Sequence, residues 1–169
     1  MTYLNSMTYT AKQADILSHL DWAIAFTQKV CEHFEDLVSV VLYGSVACGR
    51  ERPDSDIDLL IVMKNLKGGN YRRRMQCDPL FEEWFREHEN PPFISTLLKT
   101  PEEAQRFSPL YLDMTDRHKI LWDKDDFFKK ILKNMCARLS RLGAVRRKIG
   151  KVEYWDLKPD YRPGEVFEI

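Results

Sequence analysis

The sequence contains little that could staple or anchor it from outside its own core. Its four cysteines, Cys31, Cys48, Cys77 and Cys136, are widely spaced and form no CxxC pair, which argues against a structural zinc site. The four histidines form no HExxH or similar pair. No apolar run approaches the roughly 18 residues of a membrane span, so no membrane partner is expected. The opening "MTYLNSMTYT" lacks a basic start followed by a hydrophobic stretch, so a secretory signal is not expected. The expected location is cytoplasmic, with reduced thiols. There is no internal repeat, no low-complexity segment and no composition break that would mark a domain boundary.

The chain has 169 residues, of which 44% are apolar and 31% charged, with a formal net charge of zero. That length and balance suit one soluble domain with a real core. The charge is unevenly spread: nine Lys or Arg and no acid lie between Lys129 and Lys151, and Arg72, Arg73 and Arg74 form a second cluster. Such a run reads either as a solvated helix face or as a surface for an anionic partner such as RNA.

Periodicity gives a coarse order of elements. Residues 10–37 carry apolar Ile16, Leu20, Ala23, Ile24 and Val30 at helical spacing. "VSVVLYG" and "DIDLLIVM" read as strands. "YRRRMQCDPLFEEWFREHEN" reads as a helix that could break at Pro79, and "PPFISTLLK" as a third strand. Thr100, Pro101 and Glu103 form a helix start, "SPLYLDMTD" a second short helix, and "HKILWD" a strand. Residues 124–149 are expected to form one long amphipathic helix with Leu132, Met135, Leu139 and Leu142 on a stripe. An extended tail should follow. The expected class is α/β (α+β): a small mixed sheet covered by helices.

The stretch "LYGSVACGRERPDSDIDLLIV", residues 42–62, is the unusual one. Asp56 and Asp58 stand one residue apart in an otherwise apolar run. Alternation puts both on one face of a strand, with Cα atoms roughly 6.5 to 7 Å apart. Two carboxylates so placed can converge on a pair of magnesium ions about 3.5 to 4 Å apart, and hard oxygen ligands suit Mg2+. Without a cation they would repel, and one would tend to take up a proton. An exposed edge strand with polar alternation is the competing reading, and the flanking "LLIV" argues against it. Gly44, with no Cβ, lets a phosphate approach the backbone, and Ser45 offers a hydroxyl where a short helix could start. Ser55 reads either as a phosphate ligand or as a turn residue. Arg50 reads as a nucleotide-binding cation, with a solvated loop residue as the plainer reading of both Arg50 and Arg52. Glu102 and Glu103 read most simply as first-turn acids.

"GSVACGRERPDSDIDLLIV" resembles the signature of the DNA polymerase β-like nucleotidyltransferase superfamily: glycine, serine, about ten residues, then Asp-hydrophobic-Asp. It looks most like the minimal stand-alone members of archaea and bacteria, and similarity in "TPEEAQRFSPLYLDM", "ILWD" and "YWDLKPDYRPGEVFEI" extends it over most of the chain. The resemblance implies one nucleotidyltransferase domain over residues 1–169, with a core at about 10–123 and residues 124–169 packed on it. It implies magnesium held by Asp56 and Asp58, and a nucleoside triphosphate, ATP by preference, seated on Gly44 and Ser45. A nucleoside monophosphate would pass to an acceptor hydroxyl of unidentified origin. Some such proteins are antitoxins that act on a helical toxin-type partner, so a weakly active nucleotide-binding module is the second reading. Two positions depart from the pattern. Cys48 stands where members often carry arginine, which Arg50 or Arg52 could replace. The third strand, "FISTLL", offers only Ser95 or Thr96 where a third carboxylate is usual, and alternation allows only one of them to face the site.

Overall fold

A computed structural model describes residues 17–167. The elements run α1 His19–His33, β1 Leu37–Tyr43, α2 Gly44–Ala47, β2 Ile57–Met63, α3 Asn70–Glu87 and β3 Ile94–Lys99. After these come α4 Pro101–Ala104, α5 Leu110–Met114, β4 Lys119–Asp123, α6 Phe127–Leu142, β5 Val145–Ile149 and β6 Val152–Asp156. The main sheet has the order β3-β2-β1-β4. β1 is antiparallel to both of its neighbours. β2 and β3 are parallel, joined by α3 as the crossover helix. The expected mixed sheet with helical cover is therefore present.

β1 sits in the middle with six of its seven residues buried, which is why "LVSVVL" is apolar on both faces apart from Ser39, whose hydroxyl donates to the Trp122 carbonyl. Its two faces feed two cores. On one face Val40, Leu42, Leu59 and Ile61 pack with α1 and α3 through Trp22, Phe26, Leu80 and Trp84. On the other, Val41, Leu60 and Val62 meet Tyr111 of α5 and Phe128, Leu132, Met135 and Leu139 of α6. In the first core, Trp84 meets Trp22 and Phe26 edge-on, with centroids 5.7 and 5.1 Å apart.

The helix ends explain where the sequence reading ran too long. α1 begins after Ser18, whose hydroxyl accepts the Asp21 N–H while the Asp21 carboxylate accepts the Ser18 N–H, a reciprocal cap. Of the helix expected over 10–37, residues 10–16 lie outside the described residues, and Leu37 already belongs to β1. α3 continues through Pro79, which is exposed, so water can satisfy the carbonyl that proline cannot serve. The helix expected over 124–149 is the clearest correction. It starts at Phe127, where the Asp123 carboxylate accepts the Phe128 and Lys129 N–H groups at 2.9 and 3.1 Å. It stops at Gly143, whose φ of 65° is left-handed and reverses the chain. Residues 145–156 then form an antiparallel hairpin, with Arg147 opposite Tyr154. The basic run is therefore not one helix face. Arg146 in the hairpin is bonded to Asp113 and Asp116, and Arg147 to Asp156.

The far end of the sheet is tied by one ion pair. Arg73 grips Glu103 with two bonds, at 2.6 and 2.8 Å, and also donates to the Gly68 and Leu98 carbonyls. Glu103 in turn accepts the Thr100 N–H in the cap of α4. Arg73 and the Thr100 N–H hold the Glu103 carboxyl down at about 2, against an ordinary 4.5. A depressed carboxyl stabilises the fold above its unfolded pKa and loses that contribution as pH falls. Glu103→Gln should therefore lower unfolding stability at pH 7 by about 1 kcal/mol, a value discounted because the pair is partly solvent-screened. In urea titrations the gap from wild type should close as the pH falls from about 4.5 toward 2.

Candidate functional site

The two aspartates, the Gly-Ser turn and the third strand meet at one end of the sheet. β2 begins at Ile57, so Asp56 lies just before the strand rather than in it, and is exposed. Asp58 is the one position of β2 that is not buried. It pairs with Tyr43 of β1 on one side and Ser95 of β3 on the other. The three side chains form a row across three strands on the face of the second core. Ser95 hydrogen-bonds the Asp58 carboxylate. Of the two residues left open by the sequence, Ser95 thus faces the aspartate and Thr96 faces away.

Burial pushes the Asp58 carboxyl above its ordinary range. The charge of Asp56 adds to the rise, and the Ser95 hydrogen bond offsets part of it. Burial likewise raises Tyr43, with Asp58 contributing. A raised carboxyl adds stability at low pH that is lost as pH rises through its folded pKa. At neutral pH this corner therefore carries a cost that a cation would relieve.

Gly44 follows Tyr43 directly and has φ of 72°. A Cβ there would collide with Asp58 Oδ2 and lie 3.1 Å from its Cγ. Glycine is needed for two reasons: the left-handed backbone and the close approach of the carboxylate. A Gly44→Val exchange cannot isolate phosphate contact, since any side chain at 44 would strain the backbone and displace Asp58. Ser45 is the second residue of the one-turn helix α2, and its carbonyl accepts the Cys48 and Arg50 N–H groups at 3.1 and 3.0 Å.

The other candidates divide. The Ser55 hydroxyl accepts the Arg52 N–H at 2.8 Å, and its own N–H donates to the Arg52 carbonyl at 3.0 Å. That is a turn role, closing the loop that delivers Asp56. Arg50 is exposed on the loop after α2, and its charge acts on Glu153 of the hairpin. Glu153 also bonds Arg117 at 2.7 Å, which ties the hairpin to the segment before β4. Glu102 lies beyond the far end of β3, and Asp113 is bonded to Arg146. Neither stands beside Asp58. Among the described residues no group of three or more His, Cys, Asp or Glu could hold a metal. The sequence reading overlooked Tyr43; the strand pairing that places it beside Asp58 has no local signal.

A double-mutant cycle reads the coupling between turn and strand. Gly44→Ala alone should cost at least about 1 to 2 kcal/mol from its left-handed backbone, plus the displacement of the carboxylate. In Asp58→Ala the second part should vanish, leaving a coupling measurable by urea unfolding. Strict additivity would show that the two groups do not touch in solution.

Comparison with known proteins bears on this arrangement. Residues 24–136 match the model of the nucleotidyltransferase domain. A protein of Methanocaldococcus jannaschii named as a protein adenylyltransferase is 33% identical over 124 residues, covering 71% of this chain and 82% of that one. Among solved structures, a toxin–antitoxin crystallised with AMP-PNP is 15% identical with a TM-score of 0.45, covering 72% of this chain and 92% of that one. A nucleotidyltransferase from Sulfolobus solfataricus is 22% identical with a TM-score of 0.44, covering 70% and 92%. The domain match spans most of the chain and contains the Gly-Ser turn and both aspartates: this chain belongs to the nucleotidyltransferase domain family.

Proposed function

We propose that this chain is a magnesium-dependent adenylyltransferase that moves AMP from ATP to a hydroxyl of a partner protein, releasing pyrophosphate. The observation that carries it is the corner where Asp58, raised by burial and by Asp56, lies against the bare backbone of Gly44. Two carboxylates and a hydroxyl are a hard-oxygen donor set, and the local cost of their charge is what a divalent cation removes. Asp56 and Asp58 would hold magnesium, which when bound offsets charge on the entering and leaving oxygens. Gly44, whose missing Cβ makes place for the Asp58 carboxylate, and Ser45, with its hydroxyl, would position the β- and γ-phosphates. Ser55 keeps the loop in shape so that Asp56 is presented beside Asp58. The remaining contribution of the chain is positioning. A protein acceptor is supported by the name of the Methanocaldococcus jannaschii relative.

The acceptor must lose a proton as it attacks the α-phosphate. Here the position facing Asp58 from β3 is Ser95 and not a carboxylate, so the proton passes to solvent and turnover is slow. That same serine favours a second reading: a nucleotide-binding module with little turnover, acting on a helical toxin-type partner.

Four measurements test the assignment. Calorimetry should show ATP binding with magnesium and its loss in EDTA or in Asp56→Asn/Asp58→Asn. AMP transfer should fall by at least about 100-fold in Asp58→Asn, the scale of losing a group aimed at developing charge. Without magnesium at pH 7, Asp58→Asn should melt higher than wild type, because it removes a carboxylate that burial disfavours, and Mg·ATP should reverse that order. Ser95→Asp should speed pyrophosphate release, whereas Thr96→Asp, on the opposite face, should not. Equal ATP affinity for wild type and the double variant in EDTA would overturn the assignment of the two aspartates.

A further inference from the structure

We propose that the free edge of β3 takes an extended, acidic segment of the acceptor protein as a fifth strand beside the Asp58–Ser95 row. The role of that segment as acceptor rests on the transfer reading above; its docking does not.

The hydrogen-bond pattern shows which backbone groups are available. β3 is the outer strand of the sheet, next to β2. Ile57 of β2 donates its N–H to the Phe93 carbonyl at 2.9 Å, and the parallel register places Ile57 beside Ile94. In a parallel ladder, alternate residues turn both their N–H and C=O to the same side. Phe93, Ser95 and Leu97 therefore face β2, and Ile94, Thr96 and Leu98 face outward. The outward Leu98 carbonyl is already taken by Arg73, at 3.4 Å. Ile94 and Thr96 remain without a backbone partner among the described residues, offering two donors and two acceptors at the end of the strand nearest Asp58. An uncovered strand edge is a template for another chain unless it is blocked. Here the ion-paired Arg73 blocks the far end only.

The surroundings select the occupant. A groove of about 250 Å³ runs along this edge, walled by Phe81, Phe93, Asn70 and Arg74. Phe93 is 54% exposed. Arg74 is the one charged residue among those that line the groove. Backbone pairing gives affinity to an added strand, and alternate side-chain pockets give it preference. On the α3 face an acidic residue of the added strand reaches Arg74, and on the opposite face, which Phe93 shares with Ser95, an apolar one fits against Phe93. A strand paired here lies about 4.8 Å beyond β3. It carries one residue alongside Ser95, on the face where Asp58 points, so a hydroxyl side chain there extends over Ser95 toward the two aspartates.

The test uses the full chain and a panel of ten-residue peptides that alternate valine with glutamate and one tyrosine, serine or threonine. Residue-resolved amide exchange is the readout, with no nucleotide present. At least one peptide should slow the Ile94 and Thr96 amides by about tenfold or more and leave Leu97, already paired, unchanged. Thr96→Pro removes an outward N–H on an edge strand, where proline is tolerated, so the sheet and Mg·ATP binding should survive. Peptide affinity and AMP transfer to the peptide should each fall about tenfold. Arg74→Glu supplies an independent arm: glutamate-bearing peptides should lose their advantage over lysine-bearing ones. No protection by any peptide, wild-type peptide affinity in a folded Thr96→Pro, or protection produced by ATP alone would overturn the proposal. Protection that instead rises with protein concentration, with a doubled mass in light scattering, would assign the edge to a second copy and also overturn it. Protection without AMP transfer would uphold the docking edge and count against the transfer reading.

Discussion

One contact organises this end of the molecule: the Asp58 carboxylate lying against the backbone of Gly44. It sets the residue at 44, because no other side chain fits the space or the left-handed φ. It couples the end of β1 to the start of β2 across their antiparallel pairing. It also fixes what β3 can place opposite, since Asp58 is flanked by Ser95 in the parallel register. The chemistry proposed here needs all three strand ends in one place, and the sheet order β3-β2-β1-β4 with the aspartate strand next to the turn strand supplies that.

The Arg73–Glu103 pair plays the complementary part at the opposite end. It joins the start of the crossover helix to the cap of α4 and fills a carbonyl on the open edge of β3. This ion pair thus sits where the sheet needs closing. The uncompensated charges sit where a ligand is expected. Glu103, one of the first-turn acids of the sequence, is structural in this sense, and its depressed carboxyl reflects its partners rather than catalysis.

The sheet strands were legible because β1 and β2 are buried on both faces and their apolar runs have only one comfortable home. The aspartates were legible for the same reason: two acids in such a run demand an explanation. What escaped was everything decided by a single glycine or by pairing between distant segments. The long-helix expectation carried across Gly143, because the stripe of Leu132, Leu139 and Leu142 is stronger than one interrupting residue. The hairpin beyond it has exposed, charged strands whose pairing leaves no clean alternation. The choice between Ser95 and Thr96 depended on register, which only the neighbouring strand fixes. Tyr43 became part of the site by that same register.

The burial of β1 on both faces has a consequence for how the protein comes apart. The same strand is the floor of the α1–α3 core, through Leu37, Val40 and Leu42, and the ceiling of the α5–α6 core, through Val38 and Val41. Neither helix layer can peel away without exposing the strand that the other layer also needs. Opening is therefore cooperative through the middle of the sheet, and partial unfolding is confined to the outer elements, the hairpin above all. Asp58 and Gly44 are rooted in that cooperative centre, so the corner they form persists until the sheet itself is lost.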